Sequence, residues 1–304
     1  MRVQRLEGNP IIRPHMDGSM GENISGHSLI RVPDWVEDPL GRYYLYFAEH
    51  KGKYIRMAYS DRLEGPWRTY EPGVLNLEDS FFPVTPPEKP TARVHRLKDA
   101  VKPHIASPDA HVLEEHKEIR LYYHGLEAYA RQVSRLAVSK DGIHFKAMPE
   151  AFGLSYFRMF RHEGRYYGMA MPGVFYRSHD GLKDFERGPH LFGMDMRHSA
   201  LLVCENNLHV FWTRVGDAPE RILLSTIDMT QDWEQWVTSE PVNVLRPEYP
   251  WEGSDQPVVP SVRGWIDGPV NQLRDPTIYQ EADRLFLLYT VAGESGIAIA
   301  ELFL

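Results

Sequence analysis

Cysteine is almost absent from this chain, since Cys204 is the only one among 304 residues. A single cysteine cannot form an intramolecular disulfide, which suits a reducing compartment. Because Cys204 lies in the apolar run ALLVCENN, we expect it to pack in the core rather than to act as a nucleophile. The chain also lacks an apolar run of about 18 residues, and its start, MRVQRLEGNP, has no signal-peptide-like segment. We therefore expect a cytoplasmic protein with no membrane partner.

Basic blocks and nucleotide-binding motifs are also missing. The formal net charge is −8 and no cluster of lysine and arginine offsets it, so a nucleic-acid partner is not expected. There is no glycine-rich phosphate loop on a strand-to-helix turn and no Gly-x-Ser-x-Gly elbow, which argues against nucleotide-binding and serine-hydrolase functions. Helical periodicity is nearly absent, so the fold must be built from strands.

What the chain does have is a repeated strand pattern rich in aromatic residues. Alternating aromatic and apolar runs, each preceded by a turn of small or polar residues, recur at 41–48, 117–124, 164–171, 206–213 and 283–290. A second strand follows each run and a third precedes it. Units of three or four short strands that need neighbours to cover their faces are typical of a β-propeller.

The sequence therefore predicts an all-β, five-bladed β-propeller that forms a single domain over residues 1–304. The predicted blades cover roughly 23–69, 104–149, 153–192, 195–240 and 272–304. The N-terminal segment QRLEGNPIIRP (4–14) is expected to add the outer strand of the last blade and so close the ring. Proline-rich insertions at 70–103 and 238–271 are predicted to cover one face.

Polar residues at the entries of the inner strands should converge on one funnel. Aligning those strands by their apolar alternation makes His27, His111, Arg158, His198 and Thr277 equivalent. Asp109 and Asp275 then share a position two residues earlier. Charged side chains at a narrow axis are not explained by packing, so the funnel is the predicted active site. Its further candidates for substrate contact are His124, Tyr156, Arg197, Arg214, Arg274 and Glu294.

Paired carboxylates on different blades fit glycoside cleavage, in which one carboxyl group protonates the leaving oxygen and another activates water or attacks the sugar. Trp35, Trp251 and Trp265 are candidates for stacking on a sugar face, with loop packing as the alternative.

Five repeats with an aspartate at inner-strand entry resemble the five-bladed propeller glycosidases, the fold shared by glycoside hydrolase families 43, 32, 68, 117 and 130. The stretch RDP at 274–276 is similar to the Arg-Asp-Pro motif of the fructan-cleaving families, and SPDAHV at 107–112 to the second-blade aspartate of family 43. In GENISGHS, at 21–28, the resemblance to family 43 implies that Glu22 or His27 is the base. The acid is then Glu220 or, as the resemblance to family 117 permits, a histidine.

The leading hypothesis is thus a glycoside hydrolase with Asp109, Asp275, Glu22 and Glu220 as catalytic candidates. It is expected to act on the end of an oligosaccharide. Arg158, Arg197, Arg214 and Arg274 suggest that the sugar is anionic. A glycoside phosphorylase and a non-catalytic carbohydrate-binding propeller are the alternatives.

No cofactor is expected. A metal ion held by histidines near the axis remains an alternative, although no histidine pair has the spacing of a zinc site. The oligomeric state stays open.

Overall fold

The computed structural model describes residues 1–88 and 100–304, and within these ranges the protein is built from strands. The predicted fold class, an all-β five-bladed propeller, is confirmed. The strands are β1 Arg2–Arg5, β2 Ser25–Arg31, β3 Tyr43–Ala48, β4 Tyr54–Ser60, β5 Arg68–Asn76, β6 Ile105–Leu113, β7 Glu118–Ala128, β8 Arg131–Ser139, β9 Lys146–Ala147, β10 Phe152–Leu154, β11 Arg158–His162, β12 Arg165–Ala170, β13 Val174–Ser178, β14 Glu186–His190, β15 Met196–Cys204, β16 Asn207–Arg214, β17 Ile222–Asp228, β18 Val242–Leu245, β19 Arg274–Glu281, β20 Arg284–Thr290 and β21 Ile297–Phe303.

Helical structure in the described ranges is limited to short 3₁₀ turns. These are Leu77–Asp79, Glu114–His116, Trp233–Gln235 and Pro250–Glu252. A membrane-crossing helix, which must be long and apolar, is not found in this part of the chain. Of the two proline-rich insertions, 238–271 is described in full, whereas residues 89–99 of the insertion at 70–103 lie outside the described residues.

The strands form five antiparallel sheets, and each sheet is one blade. In chain order the blades are β2 to β5, β6 to β10, β11 to β14, β15 to β18, and β19 to β21 with β1. Within the last blade β1 pairs with β21, from Arg2 opposite Phe303 to Arg5 opposite Ala300. The strand that completes this blade thus begins at Arg2, two residues before the segment 4–14 anticipated from the sequence.

The hydrophobic core lies between blades rather than inside them. Each of five apolar clusters combines residues of two neighbouring blades, including the pair formed by the last blade and the first. Strands such as β3 are buried along their whole length because both of their faces are covered. This explains why their sequences are apolar on both faces, with tyrosine and phenylalanine supplying most of the buried area.

One residue in or just before the inner strand of each blade has a left-handed backbone and lies near the axis: φ is 52° at Gly26, 51° at Ser107, 59° at Tyr156, 44° at His198 and 47° at Asp275. We call these the bulge positions. In four blades the pairing with the next strand shifts register there by one residue. Holding a non-glycine residue in this conformation costs energy, and such strain often marks functional sites.

The bulge corrects the predicted alignment of the inner strands. The position equivalent to Asp275 in the second blade is Ser107, not Asp109. Asp109 pairs with Tyr122 and corresponds to Thr277, which pairs with Leu288. His27 corresponds to Pro276, one residue after the bulge, and therefore does not match His198. The prediction of Asp109 and Asp275 as equivalent residues is wrong, because an alternation with a period of two residues does not distinguish registers that differ by two.

Closure of the ring is reinforced by an ion pair between β1 and the insertion at 238–271. Arg5 donates from Nε to Glu252 Oε1 at 2.7 Å and from Nη2 to Glu252 Oε2 at 3.0 Å. Glu252 is fully buried and also accepts from the Tyr289 hydroxyl at 2.9 Å. This carboxylate thereby connects the closing strand, the insertion and β20.

Removing Arg5 should destabilise the closed ring. In Arg5→Ala the buried carboxylate of Glu252 loses its cation, and breaking a buried pair of this kind costs about 3 kcal/mol or more. Urea unfolding should show this loss in the free energy of unfolding. The control is Arg284→Ala, whose cation is half exposed in its pair with Glu301 and is worth less than about 1 kcal/mol. Equal losses for the two variants would contradict the assigned role of Arg5.

Candidate active site

A cavity of about 520 Å³ opens at the axis on the face where the inner strands begin. Three sources supply its walls. The bulge positions contribute Ser107, Tyr156, His198 and Asp275, and loops and strand ends of the first three blades contribute His50, His124, Gln132 and Met171. The insertion at 238–271 covers the cavity with residues 263–265, which we call the roof.

Asp275 is a buried carboxyl group in the wall of this cavity. Its Oδ1 accepts from the Tyr156 hydroxyl at 2.8 Å and its Oδ2 from the Thr290 hydroxyl at 3.2 Å. His198 Nε2 lies 3.7 Å from Oδ1. Burial, with the nearby negative charge of Glu294, raises the pKa of Asp275. The group is therefore suited to hold a proton and to release it to a bound molecule.

His50 and Glu294 form a dyad at the edge of the cavity. Glu294 is 2% exposed, and its Oε1 lies 2.9 Å from His50 Nδ1. Because a carboxylate only accepts, the proton of this bond belongs to Nδ1, and in the neutral imidazole Nε2 is then an acceptor. Burial alone would raise the pKa of Glu294, but His50, Arg274 and Asn23 lower it to about 2.

Asn23 fixes both members of this dyad. Its side-chain oxygen accepts from the backbone N–H of His50 at 2.8 Å, and its Nδ2 donates to Glu294 Oε2 at 2.6 Å. The imidazole is thus held by the first blade and its carboxylate by the last, which are neighbours in the ring. A histidine oriented by a carboxylate is the arrangement that general-base catalysis uses.

A buried network of ion pairs lies behind the cavity. Arg197 binds Glu220 through two hydrogen bonds of 2.9 Å, and Arg274 Nε lies 3.5 Å from the same carboxylate. Arg274 Nη1 also donates to Glu294 at 3.0 Å. The two arginines reach the roof as well, since Arg197 donates to the carbonyl of Val262 at 3.1 Å and Arg274 to that of Gly264 at 3.4 Å.

The remaining histidines of the cavity wall are held neutral. Burial lowers the pKa of His124 well below its usual range, helped by the charges of His104 and Lys51. Burial and the charges of Arg197 and Arg274 do the same for His198. Neutral imidazoles offer one donor and one acceptor each, which suits sugar hydroxyl groups.

Cys204 does not belong to the cavity wall. It is partly buried at the end of β15, against the apolar cluster between the last two blades.

The structure brings together only part of the predicted site. Five candidates line the axial cavity: His124, Tyr156, Arg197, His198 and Asp275. Three others lie behind it in the buried network: Glu220, Arg274 and Glu294. Glu220 is saturated by the two arginines, so it is unsuited to the role of proton donor.

Six candidates lie elsewhere. Asp109, His111 and Arg158 line a separate cavity of about 460 Å³, where Asp109 accepts from His111 at 2.7 Å and from the Met159 N–H at 2.8 Å. His27 is completely buried, and burial lowers its pKa to about 3. The last two are Glu22, which is exposed at a neighbouring cavity, and Arg214, which packs on Trp212.

Arg158 separates the two cavities at the axis. Its guanidinium donates to the carbonyls of Ser199 at 3.0 Å and Pro108 at 2.7 Å, and it lies 4.2 Å from the centre of the Tyr156 ring. It thus joins the inner strands of three blades. Asp109 and Asp275 therefore do not face a common ligand.

Sequence reasoning missed Arg263 and Gln132 as cavity residues, and it placed His50 in a loop at the funnel without assigning it a role. His50 follows β3 and Glu294 follows β20, so both lie in the loop after the second strand of adjacent blades. That shared position is the signal that would have paired them. Among the tryptophans, Trp265 lines the cavity, whereas Trp251 stacks on Tyr249 and Trp35 bonds to Glu114. Over residues 1–88 and 100–304, no group of three or more His, Cys, Asp or Glu has the geometry of a metal site.

One curated protein is similar over nearly the whole chain. It is the uncharacterized protein R118 of Acanthamoeba polyphaga mimivirus, 35% identical over an alignment that covers 99% of this chain and 90% of the viral protein. The chain belongs to the family of this viral protein. No model of a described protein family matches the sequence.

Solved structures confirm the predicted resemblance at the level of the fold. The GH43_1 enzyme from Xanthomonas citri in complex with xylose has a TM-score of 0.59 at 12% identity, covering 96% of this chain and 90% of that one. An N-acetylgalactosamine deacetylase from F. plautii with blood group B trisaccharide gives 0.57 at 12%, covering 99% and 95%. An α-L-arabinofuranosidase from Lactobacillus brevis gives 0.55 at 10%, covering 97% and 92%.

The dyad should be visible in the pH dependence of stability. Because the folded-state pKa of Glu294 is about 2, below its ordinary 4.5, its ionised form stabilises the protein above about pH 4.5. This contribution is lost as the pH falls towards 2. In Glu294→Gln, urea unfolding should give a lower free energy of unfolding at pH 7 and a flatter decline between pH 4.5 and 2. The exposed Glu240→Gln should behave as wild type; a Glu294→Gln profile parallel to wild type would refute the assignment.

Proposed function

We propose that the protein is a glycoside hydrolase whose sugar ring binds in the axial cavity. The observation that carries this proposal is the pairing of two groups in one cavity that is large enough for a sugar ring. Asp275 is a carboxyl group with a raised pKa, and His50 is an imidazole oriented by Glu294. The fold it shares with sugar-cleaving enzymes is consistent with this use of the funnel, although fold alone does not determine function.

Each group has a defined part in the reaction. Asp275 donates its proton to the glycosidic oxygen as the bond between that oxygen and the anomeric carbon breaks. A water molecule attacks the anomeric carbon, and His50 Nε2 takes one proton from it. The products are a free sugar and an alcohol, and the overall reaction consumes one water. Glu294 stabilises the imidazolium that forms on His50, as a carboxylate beside a catalytic histidine does.

Binding of a chain end follows from the shape of the site. The roof covers the cavity with Arg263, Gly264 and Trp265, and Arg158 closes the axis beneath Tyr156. A polysaccharide cannot pass through such a cavity, so the sugar that occupies it is terminal. This supports an exo-acting enzyme.

The charges around the cavity favour a neutral sugar. The expectation of an anionic substrate relied on four arginines, of which Arg197 and Arg274 are neutralised by Glu220 and Glu294. Arg158 is engaged by backbone carbonyls on the axis, and Arg214 does not line the cavity. The same pairing removes the main argument for a phosphorylase, which would need cations available to hold phosphate. The roof residue Arg263 is the cation that still faces the cavity in the described ranges.

Substituting the acid or the base should remove most of the activity. For Asp275→Asn and His50→Asn we expect kcat/KM on 4-nitrophenyl glycosides to fall by about 10²- to 10⁴-fold, the usual contribution of a positioned acid or base. Wild-type activity should decline as the pH rises through the raised pKa of Asp275, because the acid must be protonated.

The comparison variant is Asp109→Asn, which should cost less because Asp109 faces the other cavity. An equal or larger loss in Asp109→Asn would support the site predicted from the sequence instead. Sugar binding that persists in Asp275→Asn, without product release by the wild type, would favour a non-catalytic carbohydrate-binding protein.

Matched substrates will show the preferred charge of the sugar. We expect 4-nitrophenyl glucoside and galactoside, together with the xyloside and arabinofuranoside, to include the best substrate. The glucuronide and galacturonide should be at least about tenfold poorer in kcat/KM than their neutral partners, a difference of about 1.4 kcal/mol in the barrier. A preference for the uronides that is lost in Arg263→Met would instead establish an anionic sugar.

A further inference from the structure

A second cavity of about 520 Å³ adjoins the axial cavity. The two have a common wall, since His50 and Trp265 line both. We call the second one the side cavity. It lies between the first and last blades, outside the ring of inner strands, and Glu294 forms part of its floor. His50 is therefore reached from both cavities, and Glu294 from the side cavity.

The side cavity has the composition of a site for a polyhydroxylated molecule. Its lining includes Glu22, Lys102 and Asp267, which are exposed side chains of both charges, and Asn23 in its floor. Trp265 is half buried, and its Nε1 donates to Asp267 Oδ1 at 3.0 Å. This bond orients the indole, whose faces can pack on the apolar face of a sugar ring. Donors and acceptors next to an oriented aromatic ring are what a sugar subsite requires.

We propose that the side cavity binds the leaving-group part of the substrate, so that the natural substrate is an oligosaccharide of at least two units. The inference depends on the proposed function, because it takes the axial cavity as the site of the terminal sugar. A second sugar joined to the terminal one can enter the side cavity past His50 and Trp265, which line both cavities. The bond to be cleaved then lies beside His50.

This placement gives Glu22 a different role from the one expected from the sequence. Its side chain is 81% exposed and lines the side cavity but not the axial cavity, so it is not placed to act on a sugar in the axial cavity. In the side cavity it is placed to accept hydrogen bonds from hydroxyl groups of the leaving-group sugar. Glu22 and Trp265 would therefore determine specificity for the leaving group.

Binding measurements on a variant that cannot hydrolyse its ligand will test this. Isothermal titration of Asp275→Asn compares three pairs: xylose with xylotriose, arabinose with α-1,5-arabinotriose, and galactose with β-1,3-galactotriose. For at least one pair the trisaccharide should bind about tenfold or more tightly than its monosaccharide. Adding Glu22→Ala or Trp265→Leu should reduce that ratio by about threefold or more. Adding Asp34→Ala, a carboxylate that is 96% exposed and lies outside both cavities, should leave the ratio unchanged.

The outcomes separate the two proposals. If a monosaccharide binds and its trisaccharide binds no more tightly, the side cavity is not a subsite, while the axial site stands. A ratio that is high but insensitive to both Glu22→Ala and Trp265→Leu also overturns the inference. If none of the six sugars binds and the wild type cleaves none of the 4-nitrophenyl glycosides, the proposed function itself fails. Circular dichroism of each variant shows that a lost ratio does not reflect unfolding.

Discussion

The pairing of Arg197 and Arg274 with Glu220 and Glu294 is the interaction on which the rest of the site depends. These four groups are almost fully buried, and taking them out of water is costly unless each charge is matched. Here the charges balance, two against two, and hydrogen bonds satisfy the guanidinium groups. The network connects the inner strands of the last two blades. Its arginines donate to the carbonyls of Val262, just before the roof, and of Gly264 in the roof. Its carboxylate Glu294 also binds the imidazole of His50. The network matters more for fixing the positions of these side chains than for the free energy of unfolding.

The architecture could be predicted because its determinants are local. Alternation of apolar residues in runs such as 41–48 and 283–290 reports strands directly, and five such units leave few alternatives to a propeller. The site could not be predicted equally well, because it depends on the extra residue at the bulge positions, which the apolar alternation does not reveal. One extra residue at His198 or Asp275 shifts every later side chain to the other face. Asp275, Tyr156 and His198 line the axial cavity, whereas Asp109 lines a separate one.

The pairing of His50 with Glu294 depends on closure of the ring. The two residues are 244 positions apart and meet because the first and last blades are neighbours. Their shared position after the second strand of each blade places them on the same face, but it does not give the distance between them. The arginines illustrate the same limit: their number suggested an anionic ligand, yet most of their charge is used inside the protein. What a charged residue does is determined by its partner, which only the folded chain reveals.

The hydrogen bond between Arg5 and Glu252 joins residues 247 positions apart. It couples the closing strand of the last blade to the axial cavity. The strand that closes the ring is fastened to the same insertion that supplies the roof over the cavity. Loosening the edge of the last blade therefore loosens the cover of the axial cavity, even though Arg5 does not line that cavity. The shape of the cavity thus depends on a contact at the edge of the last blade as well as on the residues of its own wall.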